Sequence, residues 1–446
     1  MPKETGNNAN NRVSVVTLGC EKNTVDSEVI MGMLSRRGLR LEEDAEQADT
    51  VIINTCGFID VAKKESVQAI LEAIELKKQG IIRNVYVAGC LSERYRSDLE
   101  AELPEVDRFF GTQDFERILE EVMPNATLEP DPKRDLLGER RLTTPKHFAY
   151  MKISEGCDNP CSFCAIPIMR GGHRSRSIEE LEFEAMMLAS NGVKEIVLIA
   201  QDSTYYGLDL YNARSLAKLL RRLARVSGIE WIRLMYAYPA KFPLDILDVI
   251  AGEEKIAKYL DIPVQHASTD VLKSMRRGIT RRATEELIGT IRKRVPGITL
   301  RTTLITGYPA EGEREFAELE EFVETMQFDR LGIFTYSQED GTTAHPLGDP
   351  LPQDEKLRRQ ARLYELQAEI SLEKNLAKIG SMQRVLVERE EKEDSSLVYY
   401  GRTEADAPEV DNEVSIVADS EIPIGEFARV RITGAMEHEL EGALLL

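Results

Sequence analysis

The chain has 446 residues, of which 42% are hydrophobic, and its 57 Lys and Arg against 77 Asp and Glu give a formal net charge of −20. This length predicts about three domains, and the apolar content excludes a wholly disordered chain. The acidic balance argues against a protein that coats nucleic acid, because phosphate binding needs clustered basic side chains. No apolar run reaches the roughly 18 residues of a membrane-spanning helix, and the polar residues 1–11 lack the apolar core of a secretory signal. We therefore expect a cytoplasmic protein, in which six cysteines are more typical of metal ligands or catalytic groups than of disulfides.

Three apolar, β-branched segments in the first hundred residues each end at a cysteine. They are VSVVTLGC, DTVIINTC and NVYVAGC, which end at Cys20, Cys56 and Cys90. Such segments are typical of strands buried on both faces, and apolar residues at helical spacing follow the first two. Repeated strand–helix units predict a parallel α/β sheet, in which the carboxyl ends of the strands lie at one edge. We expect the three thiols to converge there, unless they are ordinary buried cysteines.

The rest of the chain is predicted to contain a β/α array and a small all-β module. Residues 124–145 are polar, with Pro and charged residues typical of a linker. Six strands follow, mostly separated by helical segments, which is too few for a closed eight-fold barrel and predicts an open, partial one. A charged helix is expected at 353–379, and short alternating strands after Gly380 predict a small barrel. The six predicted strands are 147–154, 195–201, 231–237, 259–265, 298–306 and 329–337.

A second cysteine set, Cys157, Cys161 and Cys164, lies in EGCDNPCSFC, directly after the first predicted strand of the array. The spacing is C-x3-C-x2-C, whereas a closed structural zinc site takes four ligands, and no histidine follows at zinc-finger spacing. Three thiolates suit a 4Fe–4S cluster that leaves one iron open to another ligand. The Cys161–Cys164 pair alone would also fit a redox dithiol. The complete pattern after a strand of a β/α array indicates a cluster site.

This pattern after the first strand of a partial β/α barrel resembles that of radical S-adenosylmethionine (SAM) enzymes. The resemblance implies that Cys157, Cys161 and Cys164 bind three irons of a 4Fe–4S cluster, and that the amino and carboxylate groups of SAM bind the fourth. Reductive cleavage of SAM would then give a 5′-deoxyadenosyl radical that abstracts hydrogen from an unactivated carbon. The cofactor supplies this chemistry, while the protein positions it and excludes water.

The N-terminal motifs resemble those of a narrower family. TLGCEKN around Cys20, NTCGFI around Cys56 and AGCL around Cys90 are similar to the N-terminal domain of methylthiotransferases, where such a set would hold an auxiliary 4Fe–4S cluster. One SAM would methylate sulfur carried on that cluster, and a second would generate the radical. The segment ADAPEVD, residues 405–411, resembles part of a TRAM domain. The resemblance implies three domains: a parallel α/β sheet domain at 11–127, a radical SAM partial (β/α)6 barrel at 143–375, and a small all-β TRAM barrel at 376–446.

Residues near the predicted strand ends are candidates for SAM binding. Gln201 and Asp202 follow the second strand of the array, and Gly307 ends the fifth, where a glycine allows backbone to approach adenine closely. Phe163, between two cluster cysteines, lies where the family places an aromatic side chain near adenine, although simple packing is an equal interpretation. The sequence assigns no separate catalytic acid or base.

Other candidates keep two interpretations. Gln265 and His266 end the fourth strand, and His266 is either a ligand contact or a satisfied structural histidine. Arg170, Arg174 and Arg176 lie in MRGGHRSRS, where they either pair with a carboxylate of SAM or of the target or belong to a solvated loop.

The family has two branches that differ in substrate. One modifies adenosine in transfer RNA, and the other modifies an aspartate β-carbon of small-subunit ribosomal protein twelve. The motifs LGCEKN and NTCGFID of this chain resemble those of the second branch. Residues 380–446 contain six Lys and Arg against sixteen Asp and Glu, a net charge of −10, which would repel RNA and attract a basic protein. A merely soluble acidic surface, and a non-catalytic module whose cysteines hold zinc, remain alternatives. We expect two 4Fe–4S clusters and SAM as cofactors, a basic ribosomal protein as substrate, and a flavodoxin- or ferredoxin-type electron donor.

Overall fold

The computed structural model describes residues 12–123, 140–393, 396–418 and 421–445. The linker predicted at 124–145 lies for most of its length outside these residues. No helix in the described ranges is long and apolar enough to cross a membrane. The chain divides into two compact units. The first unit comprises residues 1–143, 155–157 and 165–172, and the second comprises residues 144–154, 158–164 and 173–446.

A parallel five-stranded sheet forms the first unit, with the spatial order β2-β1-β3-β4-β5. Its strands are β1 (Arg12–Thr17), β2 (Arg40–Leu41), β3 (Thr50–Thr55), β4 (Asn84–Gly89) and β5 (Arg108–Phe109). Its helices are α1 (Glu21–Arg36), α2 (Asp60–Lys78), α3 (Cys90–Glu102), α4 (Phe115–Val122) and α5 (Ile166–Arg170).

Helices cover both faces of this sheet, because successive residues of a strand point to opposite sides. In β3, Val51 and Ile53 pack with apolar residues of α2 and α3, whereas Ile52 packs with apolar residues of α1 and α4. All six residues of β3 are buried, and each buried Val or Ile side chain contributes about 1.5–3 kcal/mol. This two-sided burial is the reason that the strands are nearly continuous apolar segments, and it confirms the predicted parallel α/β sheet.

A six-stranded parallel sheet forms the β/α array of the second unit, with the order β13-β12-β11-β10-β9-β6. Strands β6 and β13 lie at its two edges, so the partial barrel is open, as the sequence predicts. The array strands are β6 (Phe148–Lys152), β9 (Glu195–Ile199), β10 (Trp231–Leu234), β11 (Ile256–Asp261), β12 (Thr299–Thr306) and β13 (Arg330–Thr335), and the two-residue strands are β7 (Ser154–Glu155) and β8 (Arg174–Ser175).

Helices connect most of the array strands. Helix α6 starts with a capping box, in which the Ser177 hydroxyl accepts from the Glu180 N–H and the Glu180 carboxylate accepts from the Ser177 N–H. The helices are α6 (Ile178–Ser190), α7 (Leu208–Tyr211), α8 (Leu216–Leu223), α9 (Asp245–Gly252), α10 (Thr269–Ser274), α11 (Arg281–Arg294), α12 (Glu313–Met326) and α13 (Gln353–Leu376).

A closed five-stranded barrel with the order β14-β15-β16-β18-β17 ends the chain. The sequence predicts a barrel here from four strands, and the fifth, β18, is an addition. Its inward positions are Leu440 and Gly442, so a glycine interrupts the apolar alternation that identifies a strand. A Cβ on Gly442 would lie 2.2 Å from a methyl carbon of Val430, because the barrel interior is narrow. The strands are β14 (Met382–Glu393), β15 (Ser396–Thr403), β16 (Glu413–Val417), β17 (Phe427–Ala435) and β18 (Glu439–Leu444).

Buried ion pairs hold the barrel against the array within the second unit. Arg402 of β15 is 2% exposed and donates at 2.7 Å to both Glu195 of β9 and Glu388 of β14. Glu195 also accepts from Arg233 of β10 at 2.7 Å. Burial by itself would raise the pKa of Glu388, but hydrogen bonds from His147 and Arg402 lower it to about 2. These carboxylates are therefore charged and paired at neutral pH.

The segment 405–411 adds a second set of contacts with the array. Asp406 accepts from Arg330 at 2.5 Å, and Asp411 accepts from the Tyr259 hydroxyl at 2.6 Å. Arg330 and Asp406 are both buried. Some acidic residues of the barrel module are thus paired with side chains of the array. The negative charge that faces solvent is therefore smaller than the count of −10 for residues 380–446 indicates.

Candidate functional site

The first cysteine set lies at the carboxyl edge of the five-stranded sheet, where the sequence places it. The register pairs Thr17 of β1 with Asn54 of β3, and Thr55 of β3 with Gly89 of β4. Cys56 and Cys90 directly follow the second of these pairs. Cys20 precedes α1, three residues beyond the end of β1. Cys56 and Cys90 are buried, whereas Cys20 is exposed.

A close backbone approach brings the Cys20 loop against Cys56. Gly19 has φ +94, and a Cβ built on it would lie 2.6 Å from the Cys56 Cβ and 2.9 Å from its sulfur. Both the left-handed backbone and the missing side chain are needed here, which explains the glycine of the LGC motif. The backbone of Gly19, the residue before Cys20, therefore packs directly against the Cys56 side chain.

Two asparagines of the quoted motifs shape this edge, a role that the sequence did not reveal. The Asn23 amide donates to the Leu18 carbonyl at 2.7 Å and to the Thr55 carbonyl at 3.1 Å. The Asn54 amide donates to the Asn23 carbonyl at 3.0 Å. The Cys90 sulfur lies 3.9 Å from the Asn23 Oδ1. These bonds fix the loop after β1 against the ends of β3 and β4.

Arg170 lies beside the same thiols and is not part of a solvated loop. Its side chain is 2% exposed and donates to Asp26 at 2.6 Å, to the Asn23 Oδ1 at 2.5 Å and to Glu155 at 3.2 Å. Burial alone would lower the pKa of Arg170, but its acidic neighbours, Asp26 foremost and Glu155 also, raise it well above its ordinary value. A permanent cation is therefore enclosed next to the first cysteine set.

The other two arginines of that segment differ from Arg170. Arg176 donates to the Lys152 carbonyl at 3.1 Å and pairs with Glu184 at 2.6 Å, so it secures the strand–helix connection. Arg174 is exposed. Only Arg174 fits the solvated interpretation.

Burial controls the acidity of the first thiols. It raises the pKa of Cys90 to about 12 and also raises the pKa of Cys56. Buried thiols of this kind ionise when a metal centre binds them. Burial thus suits them to a cluster better than to a solvent-exposed redox pair.

The second cysteine set is divided between the two units. In the first unit, the Cys157 N–H donates to the Gly171 carbonyl at 3.1 Å. In the second, the Cys161 sulfur accepts from the Arg277 Nη1 at 3.4 Å and lies 3.8 Å from the Tyr238 hydroxyl. The Cys164 N–H donates to the Cys161 carbonyl at 3.2 Å.

Ser162 fastens this cysteine loop to its surroundings in the second unit. Its N–H donates to the Met275 carbonyl at 3.0 Å, and its hydroxyl donates to the Ser274 carbonyl at 2.9 Å and lies 2.9 Å from the Tyr308 hydroxyl. The neighbouring Phe163 packs on an apolar cluster that includes Val271, Met275, Tyr308 and Tyr336. Phe163 therefore has the packing role, and a contact with adenine stays a prediction.

The predicted SAM residues Gln201 and Gly307 follow β9 and β12. Gln201 is partly buried, and its contact with SAM stays a prediction. Gly307 has φ +78, and a Cβ on it would lie 2.4 Å from the Lys356 Cγ. Lys356 is 1% exposed, so close packing against this side chain already requires the glycine, whether or not adenine also approaches it.

His266 is a satisfied buried histidine. Its Nδ1 accepts from the Ser268 N–H at 3.0 Å, so Nε2 carries the proton and donates to Glu311 at 3.0 Å. Glu311 also accepts from the Gly307 N–H at 2.9 Å and from Arg359 at 2.7 Å. This network orders the loop after β12 and leaves His266 without a free ring nitrogen.

Asp202 also has a local role. Its carboxylate accepts from the Asn159 amide at 2.8 Å and from the Thr204 N–H and hydroxyl at 2.9 and 2.7 Å. It therefore links the cysteine loop to the end of β9. Of the candidates that the sequence offers, Asp202 and His266 therefore stabilise local loops through hydrogen bonds.

Two sets of three cysteine thiols supply the ligand type that iron–sulfur clusters take. All six cysteines are free thiols. Among the described residues, which include all six, no three His, Cys, Asp or Glu side chains are grouped so as to hold one metal ion. A zinc site requires its ligands to converge on one point, whereas thiolates around a 4Fe–4S cluster bind different irons. The N–H donor aimed at the Cys161 sulfur is also typical of cluster surroundings.

Three family descriptions match successive parts of the chain. Residues 12–111 match the "Uncharacterized protein family UPF0004", residues 151–323 match the "Radical SAM superfamily", and residues 379–445 match the "TRAM domain". The order is the one that the sequence motifs predict. The domain boundaries at 11–127, 143–375 and 376–446 stay a prediction.

Similar proteins match almost the whole chain. "Ribosomal protein uS12 methylthiotransferase RimO" of Cytophaga hutchinsonii is 51% identical over 98% of this chain and 99% of its own. The protein of the same name from Chloroherpeton thalassium is 53% identical over 98% of this chain and 99% of its own.

A solved structure shares the fold at much lower identity. It is the radical S-adenosylmethionine methyltransferase TsrM of Kitasatospora setae, with cobalamin and a [4Fe-4S] cluster bound. The TM-score is 0.56 at 15% identity, over 75% of this chain and 77% of that one. This likeness shows the fold alone.

Proposed function

Because this chain belongs to the RimO family of ribosomal protein uS12 methylthiotransferases, we propose that it replaces a hydrogen on the β-carbon of an aspartate in uS12 with a methylthio group. The observation that carries the proposal is the combination of full-length relatives named for this activity with two separate sets of three free cysteines. The enzyme is a radical SAM methylthiotransferase. The target atom and the use of two clusters are the proposed part.

Each cysteine set would hold one cluster. When bound, two 4Fe–4S clusters and SAM supply the radical chemistry and the sulfur transfer. Cys56 and Cys90 are buried while Cys20 is exposed, so two of the three thiols are shielded from water, and the Arg170 guanidinium lies beside this set. Gln201 and Gly307, at the carboxyl ends of β9 and β12, and Phe163 are proposed to position SAM. Cys20, Cys56 and Cys90 would hold the auxiliary cluster, and Cys157, Cys161 and Cys164 the cluster that binds SAM.

The barrel surface supports a basic protein as the substrate. The barrel module has three exposed acidic residues, Glu390, Glu421 and Glu441. These can contact a partner, whereas Glu388, Asp406 and Asp411 are bonded to other side chains of the second unit. Such a surface attracts a basic ribosomal protein and repels an RNA phosphate backbone. We also propose a flavodoxin- or ferredoxin-type electron donor, and the cytoplasm as the location, because the substrate belongs to the ribosome.

Two triple variants test the division of labour between the cysteine sets. Anaerobic reconstitution of the native chain should give about eight irons per chain. Replacing Cys157, Cys161 and Cys164 with Ala should leave about half of the iron and abolish SAM cleavage to 5′-deoxyadenosine. The matched replacement of Cys20, Cys56 and Cys90 should also leave half of the iron, keep SAM cleavage and abolish methylthio transfer. Stoichiometric zinc without iron, or deoxyadenosine from the first variant, would refute the assignment.

Substrate choice is tested by offering the holoenzyme uS12 and unmodified transfer RNA in the same reaction. Mass spectrometry should find the methylthio group on uS12 and none on RNA. Reversal of Glu390, Glu421 and Glu441 to Lys should weaken the association with uS12 by roughly tenfold at low salt and less at high salt. Modified adenosine with unmodified uS12 would show that the substrate is RNA.

A further inference from the structure

We propose that Arg277 is a positioning residue that raises the reduction potential of the cluster held by Cys161, and that Tyr238 holds Arg277 in place for this purpose. The inference rests on the proposed function, because it requires a cluster on the second cysteine set. It assigns a role to two side chains of the second unit that the sequence motifs do not identify.

Arg277 makes a directed contact with the Cys161 sulfur. Its Nη1 donates to the sulfur at 3.4 Å, and its Nη2 donates to the Pro263 carbonyl. The side chain is 4% exposed, so solvent does not compete for the N–H groups. The guanidinium plane is therefore fixed at both ends, with one end on a proposed cluster ligand.

The charge of Arg277 points to an anionic ligand. In the part of the chain that the structure describes, its N–H groups donate only to Cys161 and Pro263, its Nε has no acceptor, and no carboxylate pairs with it. Other buried arginines, such as Arg402 and Arg170, have carboxylate partners. A buried cation without an anion is costly. A cluster bound through three thiolates would supply the missing negative charge at Cys161.

Tyr238 orients the guanidinium without itself donating to the sulfur. Its hydroxyl donates to the Arg277 carbonyl at 2.7 Å, which uses its single proton. Its ring lies under the guanidinium, 4.2 Å from the ring centroid to the Arg277 Cζ, at a distance that favours a cation–π contact. Loss of the hydroxyl should therefore hold Arg277 less firmly, while the Arg277 Nη1 that donates to the Cys161 sulfur is still present.

The direction of the effect follows from charge. Reduction adds one electron from a low-potential donor to the cluster and makes or breaks no bond. An N–H donor and a positive charge at a cluster sulfur stabilise the more negative, reduced form more than the oxidised form. Arg277 should therefore make the cluster easier to reduce by flavodoxin-type donors.

The test is a potentiometric titration of the reconstituted holoenzyme followed by electron paramagnetic resonance. The signal that changes when SAM is added identifies the cluster, and its potential is then measured without SAM. Arg277→Ala should lower the equilibrium constant for reduction about tenfold, which is about 59 mV for one electron. Arg277→Lys and Tyr238→Phe should give smaller shifts in the same direction. Arg276→Ala is the matched control, because it removes the same charge from an exposed neighbour, and it should cause no shift.

The outcomes separate this inference from the proposed function. An unchanged potential in a cluster-loaded Arg277→Ala variant would overturn the inference, as would a change only in SAM affinity, which would make Arg277 a SAM ligand. If Arg277→Ala does not retain iron, Arg277→Lys and Tyr238→Phe decide by the same criterion. If the native chain forms no SAM-responsive cluster, the proposed function itself fails.

Discussion

Replacing Arg170 with Met should destabilise the cysteine edge of the first unit by about 3–5 kcal/mol. The guanidinium is 2% exposed, and it bridges Asp26 at 2.6 Å and the Asn23 Oδ1 at 2.5 Å. Methionine keeps most of the volume but removes the donors, so the Asp26 carboxylate stays buried without its guanidinium partner. Arg170→Lys keeps the charge but cannot form both contacts as a fork, and we expect about half of the loss.

Hydrogen exchange is the suitable assay, because the single tryptophan, Trp231, lies in the second unit. At 1.4 kcal/mol per factor of ten, exchange of the β1 and β3 amides should accelerate by roughly a hundredfold to a few thousandfold in Arg170→Met. Arg174→Met removes an exposed arginine of the same segment and should change nothing. Less than a fivefold change in Arg170→Met would refute the view that this ion pair holds the edge together.

Two further predictions concern the second unit. The pKa of Glu388 is lowered to about 2. Its contribution to the free energy of unfolding is therefore present above pH 4.5 and is lost as the pH falls from about 4.5 towards 2, a loss of about 3 kcal/mol. The Trp231 ring contacts Phe427 of the barrel, with 4.7 Å between the ring centroids, so Trp231 fluorescence can follow urea unfolding. The loss should appear in the native chain and not in Glu388→Gln. Equal losses in the two proteins would contradict the prediction. Gly307→Ala should destabilise the second unit by at least about 1–2 kcal/mol, because of its left-handed backbone and the contact with Lys356. Gly289→Ala, on a helix with open space around it, should be neutral or stabilising, and a similar result for Gly307→Ala would contradict the packing argument.

The sequence predicts the sheet edge of the first unit well and its chemistry less well. Parallel strands impose one edge, so the positions of Cys20, Cys56 and Cys90 after three apolar segments are enough to place all three at that edge. The positions of the polar groups around them depend on tertiary contacts. Asn23 and Arg170 are 147 residues apart in sequence, and nothing in MRGGHRSRS indicates which arginine is buried.

The same limit applies to the second unit. The six array strands and the barrel follow from apolar periodicity, but this periodicity does not identify β18, because the interior position Gly442 lacks a side chain. The acidic count of residues 380–446 is correct, yet Arg402 and Glu388 belong to buried pairs with the array. Composition records how many charges a segment carries, and only the fold determines which of them face solvent.

Methylthiolation of uS12 by this enzyme can be observed in cells. The most direct measurement is mass spectrometry of uS12 from cells in which the gene is deleted and then restored. We predict that one aspartate carries the mass of a methylthio group in place of hydrogen in native cells, that deletion removes it, and that the native gene restores it. The variant with Ala at Cys157, Cys161 and Cys164 should not restore it. An unchanged modification of uS12 after deletion would contradict the account.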